Sequence, residues 1–140
     1  MRTHAGLRDC RGQALVEFAV CIVLLLALIF AVIEFGRLML VYTTIGNAAR
    51  IGARYAIVHA GDSTGTQTVV NGFLRVGTVN TSSSTVNVNL PGYPDGTVVG
   101  CTLPGCLVKV TVTYAYDPLL TYFSLGSINF TSSSEGVITW

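Results

Sequence analysis

The sequence predicts an α+β fold: a long, apolar N-terminal helix carrying a small head built from a short helix and an antiparallel sheet. Three observations lead there. Residues 18–33 are apolar without interruption, helical spacing then continues without proline to residue 60, and beyond Gly61 the pattern breaks into short alternating runs rich in Thr, Ser, Val and Gly. Composition points the same way. Of 140 residues, 51% are hydrophobic and 11% charged, the mean hydropathy is +0.61 and the net charge is +1, whereas a soluble domain carries about 25% charged residues. The near-neutral balance leaves no basic surface for a nucleic acid. With 6 Phe and 6 Tyr the chain is too apolar to be disordered.

The first element is the helix. From Ala14 the apolar stretch is interrupted only by Glu17, and about 20 helical residues span roughly 30 Å, the hydrocarbon thickness of a bilayer. A cleaved secretory signal would place small residues soon after the run, but Glu34-Phe35-Gly36-Arg37 follows. A lipoprotein signal fails because Val20, before Cys21, is too large. The segment therefore reads as a retained single-pass anchor. Arg2, Arg8 and Arg11 precede it against Asp9 alone, which holds the N-terminus in the cytoplasm and exports the rest, although Arg37, Arg50 and Arg54 reduce the contrast.

A carboxylate near the edge of a membrane helix calls for an explanation, since a charge at the helix centre costs about 2.5 to 3.5 kcal/mol. If a peptidase cut after Gly12, the new α-amino group of Gln13 would lie one turn from Glu17 and could pair with that carboxylate on a neighbouring copy. Alternatively, Glu17 reaches the interface and Gly12 is an ordinary loop residue. The helix also outruns the bilayer. From residue 14 to 60 it would measure roughly 70 Å, so about half projects beyond the membrane as a stalk. Gly46, Ala49, Ala53, Ala56 and Ala60 form a stripe of small residues along it. Such a stripe accepts either a partner helix or the chain's own head.

Arg11-Gly12, Ala14-Leu15-Val16-Glu17-Phe18, the apolar run, Glu34-Phe35-Gly36-Arg37, Asn47-Ala48-Ala49-Arg50 and Gly52-Ala53-Arg54-Tyr55-Ala56 together resemble the TadE-like family, minor pilins or pseudopilins of the tight-adherence (Tad, or Flp) type IV pilus. The blocks cover residues 11–56 densely. Val108 to Tyr114 with Pro118 resembles the family's tail strand more weakly, and Cys10 and the cysteine pair of the head depart from the family's picture. The resemblance implies a pilin-like fold, a leader of residues 1–12 removed by a prepilin peptidase at Gly12–Gln13, and Glu17 as the helix-stacking carboxylate at the fifth mature position. It also implies a membrane and stalk helix over 13–60 and an exported α+β head over 61–140. The partners would be the bilayer, the peptidase, other pilin and pseudopilin subunits and the assembly machinery. The site would be the inner membrane with the head in the periplasm or outside the cell, or the pilus itself. The alternative is an uncleaved membrane-anchored adhesin or binding module with the same β-rich head.

In the head, Asp62 is placed to cap a short helix whose Val69, Val70, Phe73 and Leu74 share a face, closing near Gly77. Residues 80–84 form a polar loop, and residues 85–90 alternate as a strand with one wet face. Residues 91–96, PGYPDG, contain two turn signals. Residues 107–116 make the strongest strand, with Val108, Val110, Val112, Tyr114 and Tyr116 inward, ended by Asp117-Pro118. Residues 128–140 read as strand on both sides of a break at TSSSEG, residues 131–136.

Four cysteines divide by compartment: Cys10 in the cytoplasm, Cys21 in the membrane, and Cys101 and Cys106 outside together. Leu103-Pro104-Gly105-Cys106 suits a type II turn, so Cys101 and Cys106 are expected to form a disulfide. No metal is assigned, because no histidine lies near that pair. Gly61-Asp62-Ser63 superficially matches an esterase motif, but His59 precedes it and no Asp-x-x-His follows, which favours the cap. No catalytic residue, cofactor or small-molecule substrate is therefore expected.

Overall fold

The computed structural model describes residues 9–77, 79–118 and 126–139, with side chains from residue 12 onward. Residues 1–8 of the expected leader, with Arg2 and Arg8, lie outside the described residues, as does Trp140. The fold is α+β: helix α1 (Asp9–Val58), helix α2 (Ser63–Val76), a 3₁₀ turn (Thr81–Ser83), and strands β1 (Ser84–Gly92), β2 (Leu107–Tyr116) and β3 (Ile128–Val137). The chain divides into two units, Met1–Arg37 and Leu38–Trp140, so the boundary falls inside α1.

In the first unit every residue from 12 to 33 is exposed. Phe18, Leu24 and Phe30 leave 65%, 65% and 54% of their surface uncovered. This surface needs an apolar solvent or partner helices.

The second unit begins where α1 acquires a buried face. Val41, Ile45, Ala48, Ala49, Ala53 and Ala56 are all at most 7% exposed. They pack with Val70 and Leu74 of α2 and with the inward row of β2 in one core. The middle of the small-residue stripe, Ala49, Ala53 and Ala56, is thus covered by the chain's own head, while Gly46 and Ala60 are half-buried. Gly52 shows why small residues are needed there: a Cβ at that position would stand 2.6 Å from Val70 Cγ2 and 3.0 Å from Val110 Cγ1. Thr43 and Thr44 sit in the same helix with their hydroxyls donating to the carbonyl of Leu40, at 3.0 and 2.7 Å, which satisfies them locally. The helix ends at Val58, just before Gly61 turns the chain at φ +90°.

Asp62 then caps α2, its carboxylate accepting from the Gly65 amide at 2.8 Å. The buried face of α2 is Thr66, Val70 and Leu74, with Val69 and Phe73 only partly covered. The expected face is therefore rotated toward Thr66, whose hydroxyl can be buried because it donates to the Asp62 carbonyl at 2.8 Å.

The sheet order is β1-β2-β3, antiparallel throughout. β2 covers the residues expected and alternates strictly, Val108, Val110 and Val112 being at most 1% exposed. Two expectations fail. Pro91-Gly92 is not a turn but the end of β1, where the register with β2 slips between Asn89 and Gly92; the turn comes later, with the Gly96 amide donating to the Tyr93 carbonyl at 2.9 Å. TSSSEG is not a break either, because β3 runs through it and pairs with β2 at every residue from Ile128 to Val137. Its small side chains make room for α1. Inward positions Ser132, Ser134 and Gly136 stand beside Val112, Val110 and Val108 of β2, and a Cβ on Gly136 would run into Ile57 of α1.

Candidate functional site

Gly12, Gln13 and Glu17 all lie on α1, in the first unit. Gln13 and Glu17 are four residues apart, one helical turn, and share a face. All three are exposed, and Glu17 has no hydrogen bond or ion pair among the described residues. Any partner for this carboxylate must come from outside the described chain. Gly12 has open space where a side chain would project, and as glycine it is the weakest helix former of the segment, by about 1 kcal/mol relative to Ala. At the far end of the apolar run Glu34 and Arg37 form an ion pair at 3.5 Å, one turn apart. The hydrophobic segment is therefore bounded by carboxylates, one bare and one paired. Cys21 is a free, exposed thiol on the same helix.

The head places Cys101 and Cys106 in a disulfide, with Cα atoms 6.0 Å apart. The Cys106 amide donates to the Leu103 carbonyl at 3.1 Å, and Gly105 takes φ +92°, a left-handed conformation that suits glycine. Two further bonds, Gly105 N–H to Ile138 C=O at 2.8 Å and Ile138 N–H to Cys106 C=O at 2.9 Å, tie this loop to the chain just after β3.

The residues that a catalytic reading would need are already engaged. Asp62 accepts from the Tyr55 hydroxyl at 3.1 Å as well as from Gly65, and His59 stacks on Tyr55 with ring centroids 4.3 Å apart. Partial desolvation, then the hydrogen bond to Asp62 and its negative charge, raise the Tyr55 pKa. This cluster closes the turn between α1 and α2. Among the described residues no group of three or more His, Cys, Asp and Glu could hold a metal ion.

One feature escaped the sequence. Beside the outer edge of β3 a groove of about 340 Å³ is lined by Tyr42, Thr43, Asn47 and Arg50 of α1 and by Thr131 and Ser133 of β3. It was hidden because a strand that reads as TSSSEG looks like a loop. The one available signal was the outward spacing of Thr43, Asn47 and Arg50 on the stalk helix.

Fold and site define a class: an α+β protein with one helix, among the described residues, apolar and long enough to cross a membrane, whose later turns carry part of the core. Residues 12–54 match the family model described as TadE-like protein, the family that the sequence resembles. No curated relative matches the chain, and no solved structure matches it. The TadE-like segment covers the apolar run and most of the buried stalk, and the family points to a structural role associated with the Tad pilus and the membrane.

Proposed function

We propose that the protein is a minor pilin or pseudopilin of a Tad/Flp-type pilus, cleaved after Gly12 by a prepilin peptidase and packed into the pilus or its base through α1. The observation that carries this reading is the TadE-like match over residues 12–54, taken together with a helix that leaves every side chain from 12 to 33 uncovered. Before assembly lipid covers that surface, and after assembly neighbouring helices do. Glu17 then pairs with the Gln13 amine of another copy, a charge pairing favoured by the low dielectric of the helix bundle. The N-terminus stays in the cytoplasm and the head is exported, where Cys101 and Cys106 are oxidised.

The test is the N-terminal sequence and intact mass of the membrane-bound protein from cells with and without their prepilin peptidase. A chain beginning at Gln13 only where the peptidase is present is the expected result. A chain retaining its leader in both strains overturns the proposal and leaves an uncleaved, membrane-anchored binding protein. Alkylation without reductant checks export independently, since free thiols at Cys101 and Cys106 would contradict an oxidising location.

A further inference from the structure

We propose that the outer edge of β3 is a strand-addition site, and that its occupant is an extended segment of a partner polypeptide carrying a carboxylate for Arg50. The two edges of the sheet are treated differently. β1 lies beside α2, whose Gln67 side chain donates to the Val86 carbonyl at 3.4 Å. β3 is hydrogen-bonded to β2 on one side, and no described residue pairs with its other side.

Natural sheets protect such an edge with Pro, Lys, a bulge or a short strand. β3 has none of these over its ten residues, and its register with β2 is unbroken from Ile128 to Val137. Its single charge, Glu135, is neutralised by Lys109 of β2 at 2.7 Å. A continuous row of backbone donors and acceptors with no cover among the described residues is the substrate for strand addition, in which main-chain bonds give affinity and side-chain contacts give selectivity.

The groove supplies the selectivity. It runs between α1 and the free edge, and Arg50 within it is exposed and forms no ion pair among the described residues. A guanidinium there matches a carboxylate on an added strand, in the two-pronged geometry that makes such pairs strong. Tyr42, Thr43 and Asn47 offer further hydrogen bonds along it.

Two copies do not pair antiparallel through this edge. Tyr42 packs on Phe130, with ring centroids 6.3 Å apart, and Ile57 lies beside Gly136, so α1 runs along β3 in the same direction. Antiparallel pairing of two β3 edges would need a two-fold axis perpendicular to the sheet, which reverses one α1 against the other. Their Leu38 ends would then point in opposite directions, which two copies anchored in one membrane cannot do.

The experiment uses the full-length chain in lipid nanodiscs, selected against a display library of random ten-residue peptides. Enriched peptides with an Asp or Glu at a fixed place are expected, and they should slow exchange of the β3 amides that point away from β2. Binding should fall about tenfold in Arg50→Ala and stay unchanged in Arg54→Ala, since Arg54 lies on the same helix outside the groove. Failure to enrich any peptide, equal binding to Arg50→Ala, or slow exchange without peptide at the β3 amides that point away from β2 would each overturn the inference. The last would mean that the chain covers its own edge. None of these readouts depends on cleavage at Gly12, so the proposed function can fail without this site failing.

Discussion

Gly52 shows how much of this fold depends on single atoms. It lies under α2 and β2 at once, with the side chains of Val70 and Val110 occupying the space a methyl group would need. Gly52→Ala should therefore destabilise the head by about 1 to 3 kcal/mol, even though Ala is the better helix former by about 1 kcal/mol. Gly136→Ala should cost less, because the obstacle is the flexible end of Ile57. Chemical denaturation of the two variants side by side checks both signs. Asp95 gives a second residue-scale prediction. It accepts from the hydroxyl and the amide of Thr97 at 2.7 and 3.1 Å, and these bonds, the side-chain one foremost, hold its carboxyl below the usual aspartate range. The folded state thus binds its proton later than the unfolded chain does. Its contribution is complete above the ordinary aspartate pKa and is lost as pH falls through the lower folded value. An NMR acid titration should show the Thr97 amide shifting at a lower pH than a free aspartate would give, and Asp95→Asn should abolish that transition.

Among the elements, α2 depends most on one residue for its start. Asp62 closes the turn after α1, caps α2 through Gly65 and receives the Tyr55 hydroxyl. Asp62→Ala should cost about 1 kcal/mol, fray the first turn of α2 in hydrogen exchange and leave β2 and β3 protected. An enzyme would lose an activity with that substitution; a cap loses only stability. The elements also show what was legible beforehand. α1, α2 and β2 could be read directly, because periods of 3.6 and 2 in apolar residues record burial on one face. β3 could not. Its inward positions are Ser132, Ser134 and Gly136, chosen by the close approach of α1 rather than by apolarity, so a core-facing strand carries the composition of a loop. Pro91-Gly92 misled for a related reason: a turn-forming pair serves there as a strand end with slipped register.

For the whole molecule, one helix serves two environments. From residue 12 to 33 its surface is uncovered, and from Leu38 onward it contributes to the core of the head. Insertion into a bilayer needs only the apolar surface, while assembly under the proposed function needs the Glu17 carboxylate as well. Glu17→Ala should therefore insert as wild type does, by membrane fractionation, and be depleted from pili or pilus-dependent secreted material by tenfold or more. Wild-type assembly in that variant would remove the charge-pairing role.

By itself the sequence determined the long apolar helix, the α+β succession and the capped short helix, because each is a local matter of hydrophobic period or turn chemistry. Only the tertiary structure decided that Ala49, Ala53 and Ala56 of the small-residue stripe lie beneath the chain's own head, that TSSSEG is a strand, and that the β3 edge borders a groove with Arg50. Those outcomes depend on which surfaces meet. A glycine or serine selected for close approach carries no apolar signal, so its meaning emerges only when the neighbour that requires it is in place.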